Sequence, residues 1–282
     1  MSSTLTANAV PAHTRIDAPR VYKVTRVGVL RSELSKFLSL RSSWITLGLT
    51  MLFVVGFGII SAVRYSPTGT AGGGPIGGSN ASDAVEIALG GQNFGQLAVG
   101  VLGVLFMAGE YSTGMIRSTL TAVPKRLPVL LSKVVVLAVS VFVVSTIGVV
   151  IAFLGGESSL TGTKVALSLF SPGVPEALLG AGGYFALVAV IGVALGALIR
   201  STAGGIAALV TSLMLLPVIT GILPGNWGND VSPYLPSNAG TAMFTLNHGS
   251  TVLSPGAGAA VFAGWALLAL GAAAYRLTRT DA

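Results

Sequence analysis

Charge is scarce in this sequence: Asp, Glu, Lys and Arg make up 9% of its 282 residues, against roughly 25% in a soluble globular domain. A soluble core of this size needs a polar shell, and the chain lacks the residues to build one. Cysteine is absent, which excludes disulfide staples and Cys-based metal or redox sites. The two histidines, His13 and His248, stand far apart, so no His-rich metal centre is expected. The sequence has no G-x-x-x-x-G-K-[ST] phosphate loop, no H-E-x-x-H and no G-x-S-x-G. Its glycines between positions 72 and 78 lack the lysine that a phosphate loop requires. No catalytic, cofactor-binding or metal-binding residue of this chain is therefore singled out. The first 20 residues have no apolar h-region and contain Pro11 and Pro19, so no cleavable signal peptide is expected.

What the chain has in abundance is apolar length. Hydrophobic residues reach 52% and glycines number 38, with a mean hydropathy of +0.82. A bilayer-crossing helix takes about 20 apolar residues, because backbone groups cannot be left unpaired in hydrocarbon. Six runs meet this requirement, at about 44–63, 89–109, 134–154, 180–199, 204–223 and 256–275. The fifth contains Pro217, which should kink or shorten the helix. The fold class expected is an all-α integral membrane protein with six transmembrane helices, forming one domain over 44–275.

Lysine and arginine set its orientation. With the N-terminus inside, fourteen of the sixteen basic residues fall on the cytoplasmic side, and only Arg64 and Lys164 fall outside. This is the positive-inside bias. It predicts cytoplasmic termini, with 1–23 a flexible tail and 276–282 a short one. The bases flank apolar runs instead of forming one patch, so the net charge of +7 does not point to nucleic acid.

Two inner segments stand out. Over 24–43, Val27, Leu30, Leu34, Phe37 and Leu38 recur at spacings of three and four, with Arg26, Arg31, Glu33, Lys36 and Arg41 mostly off that stripe. The pattern predicts an amphipathic helix lying in the membrane interface, apolar face toward lipid; the alternative is a simple extension of the first span. The second segment, Glu110 to Lys133, places Pro124 and Pro128 around the basic pair Lys125 and Arg126. It reads as either a partner-docking loop or a plain connector.

Elsewhere the signals are open. Gln92, Asn93 and Gln96 begin the second span and are candidates to line a polar path, to satisfy one another or to sit at the headgroups. Gly192 and Gly196 form a G-x-x-x-G, and Gly48, Gly56, Gly100, Gly103, Gly264 and Gly271 are further candidates for close helix approach. The 65–80 loop is Gly-rich, and 224–255 carries Trp227, Tyr234 and Phe244 for the headgroup level or for an outer cap.

The chain resembles the permease subunit of an ABC-2 type transporter, especially the actinobacterial efflux kind. The likeness rests on Arg31, Glu33, Lys36, Arg41 and Ser42 in the leading segment. It rests further on Gly109, Glu110, Tyr111, Gly114, Met115, Ile116, Arg117, Thr119, Leu120, Pro124 and Arg126 in the inner loop, and on the stretch Tyr234 to Gly240. The resemblance implies an elbow helix at 24–43 and a coupling loop over Glu110 to Arg126. It implies that Glu110 pairs with Arg117 or Lys133, and that Lys125 and Arg126 meet a partner. It also implies a cytoplasmic nucleotide-binding ATPase subunit that holds ATP and Mg, a second permease copy or paralogue, and location in a bacterial cell membrane. The cargo expected is hydrophobic or amphiphilic, because an apolar path suits an ion poorly. On this view the chain is not itself an enzyme. The competing expectation is a structural or sensory membrane protein that recruits cytoplasmic partners without transport.

Overall fold

A computed structural model of the chain describes residues 25–65, 83–122, 126–222, 230–247 and 252–279. The expected tail 1–23, nearly all of the 65–80 loop, Trp227, Pro124, Lys125 and the last residues 280–282 lie outside this set, as does the side chain of Arg117.

The leading helix α1 spans Arg26–Ser39, and the Thr25 hydroxyl accepts from the Gly28 N–H at its start. It buries Val29, Glu33 and Phe37, positions four apart that share one face. Of the apolar stripe read from the sequence, only Phe37 faces the protein. Val27, Leu30, Leu34 and Leu38 stay exposed on the adjoining face, available to lipid. One helix thus carries a protein-facing stripe and a lipid-facing stripe side by side. Extended backbone at Leu40 ends it, and the Trp44 indole N–H donates across the break to the Leu38 carbonyl at 2.8 Å.

Among the described residues, six helices are long and apolar enough to cross a membrane. They are α2 (Arg41–Val63), α4 (Gln92–Ser112), α6 (Arg126–Leu160), α7 (Val174–Ile199), the pair α8 (Thr202–Val210) and α9 (Leu216–Ile222), and α11 (Pro255–Arg279). A π-helical segment, Thr211–Leu215, joins α8 to α9 just before Pro217. A proline cannot supply the N–H of a regular turn, and a widened turn beside it is how the span accommodates the interruption. The third span extends well past 134–154 at both ends. At 35 residues α6 is about 52 Å long, more than the roughly 30 Å hydrocarbon layer, so its first turns stand in the interface with Lys133 inside the helix.

The bundle's tightest seam runs between α4 and α7. A Cβ added to Gly192 would lie 2.4 Å from the Gly100 carbonyl oxygen, and one on Gly103 2.5 Å from that of Ala189. Backbone therefore meets backbone, as the G-x-x-x-G suggested. By contrast Gly48, Gly56, Gly264 and Gly271 meet nothing within 4 Å and build no seam within this chain.

Two short helices tuck into the end of the bundle opposite α1. The first, α3 (Ala84–Ala88), buries four of its five residues. The turn after it brings Gly91 so near α2 that a Cβ would sit 2.0 Å from the Phe53 carbonyl oxygen. Phe53 lies about 15 Å below the Val63 end of α2, at 1.5 Å of rise per residue. Span two therefore begins at Gln92, well inside the bundle, and Gln92, Asn93 and Gln96 lie deeper than the headgroups. The second, α10 (Pro236–Thr241), packs Gly240 onto the rings of Tyr184 and Phe262. The stretch from Leu235 to Phe244 is thus inserted among the spans. Tyr234 and Trp265 keep exposed ring surface, and the Trp265 indole N–H, ten residues into α11, donates to the Tyr234 carbonyl at 2.9 Å.

Candidate functional site: an ion cluster at the α1 end

The inner segments singled out in the sequence converge on one buried cluster. Lys133 of α6 is wholly buried and Glu33 of α1 almost so, while Glu110 near the end of α4 is buried with a small exposed edge. The Lys133 ammonium donates to Glu33 Oε2 at 2.7 Å and to Glu110 Oε1 at 2.8 Å. Lys36, one turn along from Glu33, donates to Glu33 Oε1 at 2.8 Å and to Glu110 Oε1 at 3.2 Å. It also reaches Thr119 Oγ1 of α5 (Met115–Ala122) at 3.4 Å. Two ammonium groups and two carboxylates leave the cluster neutral. That balance is what makes the burial tolerable, since an unmatched charge there is strongly penalised. The Phe106 ring lies 4.3 Å from the Lys133 ammonium and packs edge-on against Phe37, closing the site with aromatic surface.

Burial alone pulls the Lys36 ammonium pKa down. The hydrogen bonds and attraction from Glu33 and Glu110 outweigh it, and the net shift is above the ordinary lysine value. A hollow of about 220 Å³ opens beside the cluster between α1 and α5, lined by Val29, Ser32, Lys36, Met115, Ser118 and Thr119.

The remaining candidates divide. Of the two partners expected for Glu110, Lys133 is observed, with Lys36 as a second that sequence reasoning did not assign, while the pairing with Arg117 falls on a side chain outside the described set. Tyr111 lies under the Arg200 guanidinium, 5.2 Å from ring centroid to Cζ. Gly114 takes φ +72°, the left-handed turn between α4 and α5 that glycine adopts without strain. Arg31 and Arg41 are exposed. Arg126 is committed at least in part to the fold, since its Nη1 donates to the Leu277 carbonyl at 2.8 Å. Arg276 likewise donates to the Leu198 carbonyl. Both satisfy carbonyls in the last turn of a neighbouring helix, where cations are favoured.

Gln92, Asn93 and Gln96 sit elsewhere, in the embedded polar centre of the far half. The Tyr184 hydroxyl donates to Gln96 Oε1, and Gln96 Nε2 donates to Asn93 Oδ1 at 3.1 Å. Tyr184 and Gln96 are sealed from solvent, Gln92 is partly covered and Asn93 is exposed. Sequence reasoning missed Tyr184. Its one signal was a lone phenol in the middle of an apolar span.

The fold defines a multi-pass, all-α membrane protein. No family model matches the chain, and no curated protein matches it either.

Proposed function

We propose that the chain is the membrane-spanning permease subunit of an ATP-driven ABC-2 type transporter that exports a hydrophobic or amphiphilic substrate from a bacterial cell. The observation that supports this reading most is the ion cluster. It ties the leading helix α1 to the inner ends of α4 and α6, and through Thr119 it touches α5 in the loop between them. A force applied to that loop from the cytoplasm is passed to three helices at once, because the buried charges cannot separate cheaply. ATP and Mg bind to a separate ATPase subunit in this reading, and a second copy or paralogue completes the pathway. The loop Glu110 to Arg126 is the coupling element, and two arrangements of the spans are biased by the docked partner.

The experiment is affinity purification of the tagged chain from its native membrane, followed by ATPase assay. A stoichiometric phosphate-loop ATPase whose turnover changes on adding candidate amphiphiles is expected. Recovery of the intact chain with no ATPase attached sinks the reading in favour of a recruiting protein without transport.

A further inference from the structure

We propose that two copies of this chain meet across a two-fold axis at the start of α4, where their Asn93 side chains exchange amide hydrogen bonds. The proposal rests on the second copy named in the transporter reading, and on nothing said there of ATP or cargo.

Asn93 ends a polar chain that starts in the core. The buried Tyr184 hydroxyl donates to Gln96 Oε1, and Gln96 Nε2 donates to Asn93 Oδ1 at 3.1 Å. These two bonds fix which way the Asn93 amide is turned. Its Nδ2 keeps both N–H groups without a partner among the described residues, and the side chain is exposed. Yet Asn93 stands two residues after Gly91, whose backbone touches that of Phe53 in the middle of α2. At that depth hydrocarbon offers no acceptor, and an unmet amide donor is costly.

The gap at Asn93 has a structural origin. Gly100 and Val104 lie about two and three turns further along the same face of α4. Both are covered by α8: a Cβ on Gly100 would strike Leu209, and one on Gly205 would strike Val104. Past the π-helical segment the span turns aside, and α9 packs beside Ser232–Tyr234 instead of along α4. The face that α8 covers at Gly100 and Val104 is therefore left open at Asn93.

A second copy meets the requirement that the exposed amide sets. Copies inserted in one orientation are related by an axis along the membrane normal, so a residue on the seam meets its counterpart at the same depth. Each Asn93 offers N–H donors and one remaining lone pair on Oδ1. Two such amides face to face satisfy each other, as polar side chains do between membrane helices. A buried Asn pair also fixes register and favours two strands over more.

The chain has no cysteine, so Asn93→Cys carries a single thiol. The test is oxidative cross-linking of that variant in the membrane, beside Leu267→Cys, 67% exposed on α11. A disulfide needs the two Cβ atoms within about 4.5 Å. Covalent dimer is expected from Asn93→Cys and not from Leu267→Cys. Energy transfer between labelled copies diluted in liposomes supplies the second measurement. Asn93→Leu should weaken self-association by about tenfold, and Asn93→Gln should restore most of it. Apolar packing alone would leave Asn93→Leu as tight as wild type, and that result overturns the amide pairing. A wild-type dimer whose Asn93→Cys form cross-links no better than Leu267→Cys overturns the placement while the two-copy reading stands. A wild type that stays monomeric throughout the dilution series overturns both.

Discussion

At the α1 end, four ionisable side chains from three helices close on one another at separations of 2.7 to 3.2 Å. At the other end, α3 and α10 are held among the spans by glycines that touch backbone or ring, and by Tyr184 stacked on Phe262 at 5.4 Å. The first arrangement is directional and all-or-none, since removing one charge strands another. The second is spread over many small contacts, each of which can give slightly. The end that carries the cytoplasmic loop in the proposed topology is thus the stiffer one, and the far end is built to rearrange in smaller steps. Three substitutions test that contrast directly, and a fourth separates the two lysines.

The largest effect is expected at Lys133. Lys133→Met leaves Glu33 and Glu110 facing each other in a buried space, a loss of about 3–5 kcal/mol. Thermal unfolding in detergent should register it as a large drop or as failure to fold. The quadruple change Glu33→Gln, Lys36→Met, Glu110→Gln and Lys133→Met removes all four charges together and should recover most of the lost stability. If the quadruple variant is no better than the single one, charge balance is not what the cluster provides.

Gly240→Val comes next. A Cβ at Gly240 would lie 2.5 Å from the Tyr184 ring and 3.0 Å from Phe262, so valine must push α10 outward. Overpacking of this kind costs about 1–3 kcal/mol. Protease susceptibility of the 230–247 stretch should rise before global unfolding does. Gly264→Val, at a position with nothing within 4 Å, should change neither within this chain.

The two ends also differ in how far the sequence foretells them. Glu33, Lys36, Glu110 and Lys133 stand out singly, because each is a charge at the edge of an apolar run. Their meeting follows once the spans are laid side by side. What periodicity does not reveal is that α1 turns Glu33 inward while Val27, Leu30, Leu34 and Leu38 face away. The charge that a surface helix normally exposes is here satisfied by α4 and α6. The far end is legible only in part. Gln92, Asn93 and Gln96 are visible as polar residues, but their depth depends on the turn at Gly91, where α3 folds back beside Phe53. Likewise Gly240 and Tyr184 are far apart in sequence, and their contact is decided by packing shape. Hydropathy finds the spans without ranking them. The similarly apolar α7 and α8–α9 windows differ fourfold in burial, 67% against 17%, because α7 is packed among α4, α6, α8 and the last span whereas α8 packs on α4 and α7.

Tyr184→Phe should cost less. It leaves Gln96 Oε1 without the phenol donor while keeping the stack on Phe262, and an interhelical hydrogen bond of this kind contributes about 0.6–1.7 kcal/mol. A modest fall in melting temperature is expected, without the protease sensitivity of Gly240→Val. A fall as large as that of Lys133→Met would show that the far end is as brittle as the near one.

The smallest effect is expected at Lys36, which contacts the same two carboxylates as Lys133. Its side chain is 27% exposed against 1% for Lys133, so water screens the charge and can take its place. Lys36→Met should therefore cost about 1 kcal/mol or less. The pH dependence has a definite sign. Because the folded pKa of Lys36 is raised above the ordinary 10.5, its contribution is fully present below that value and is lost as pH climbs through the folded pKa. Between neutral pH and about pH 10, wild type and Lys36→Met should keep a constant difference in melting temperature. A difference that vanishes within that window would mean that Lys36 is not charged in the folded protein, and that Lys133 alone neutralises the two carboxylates.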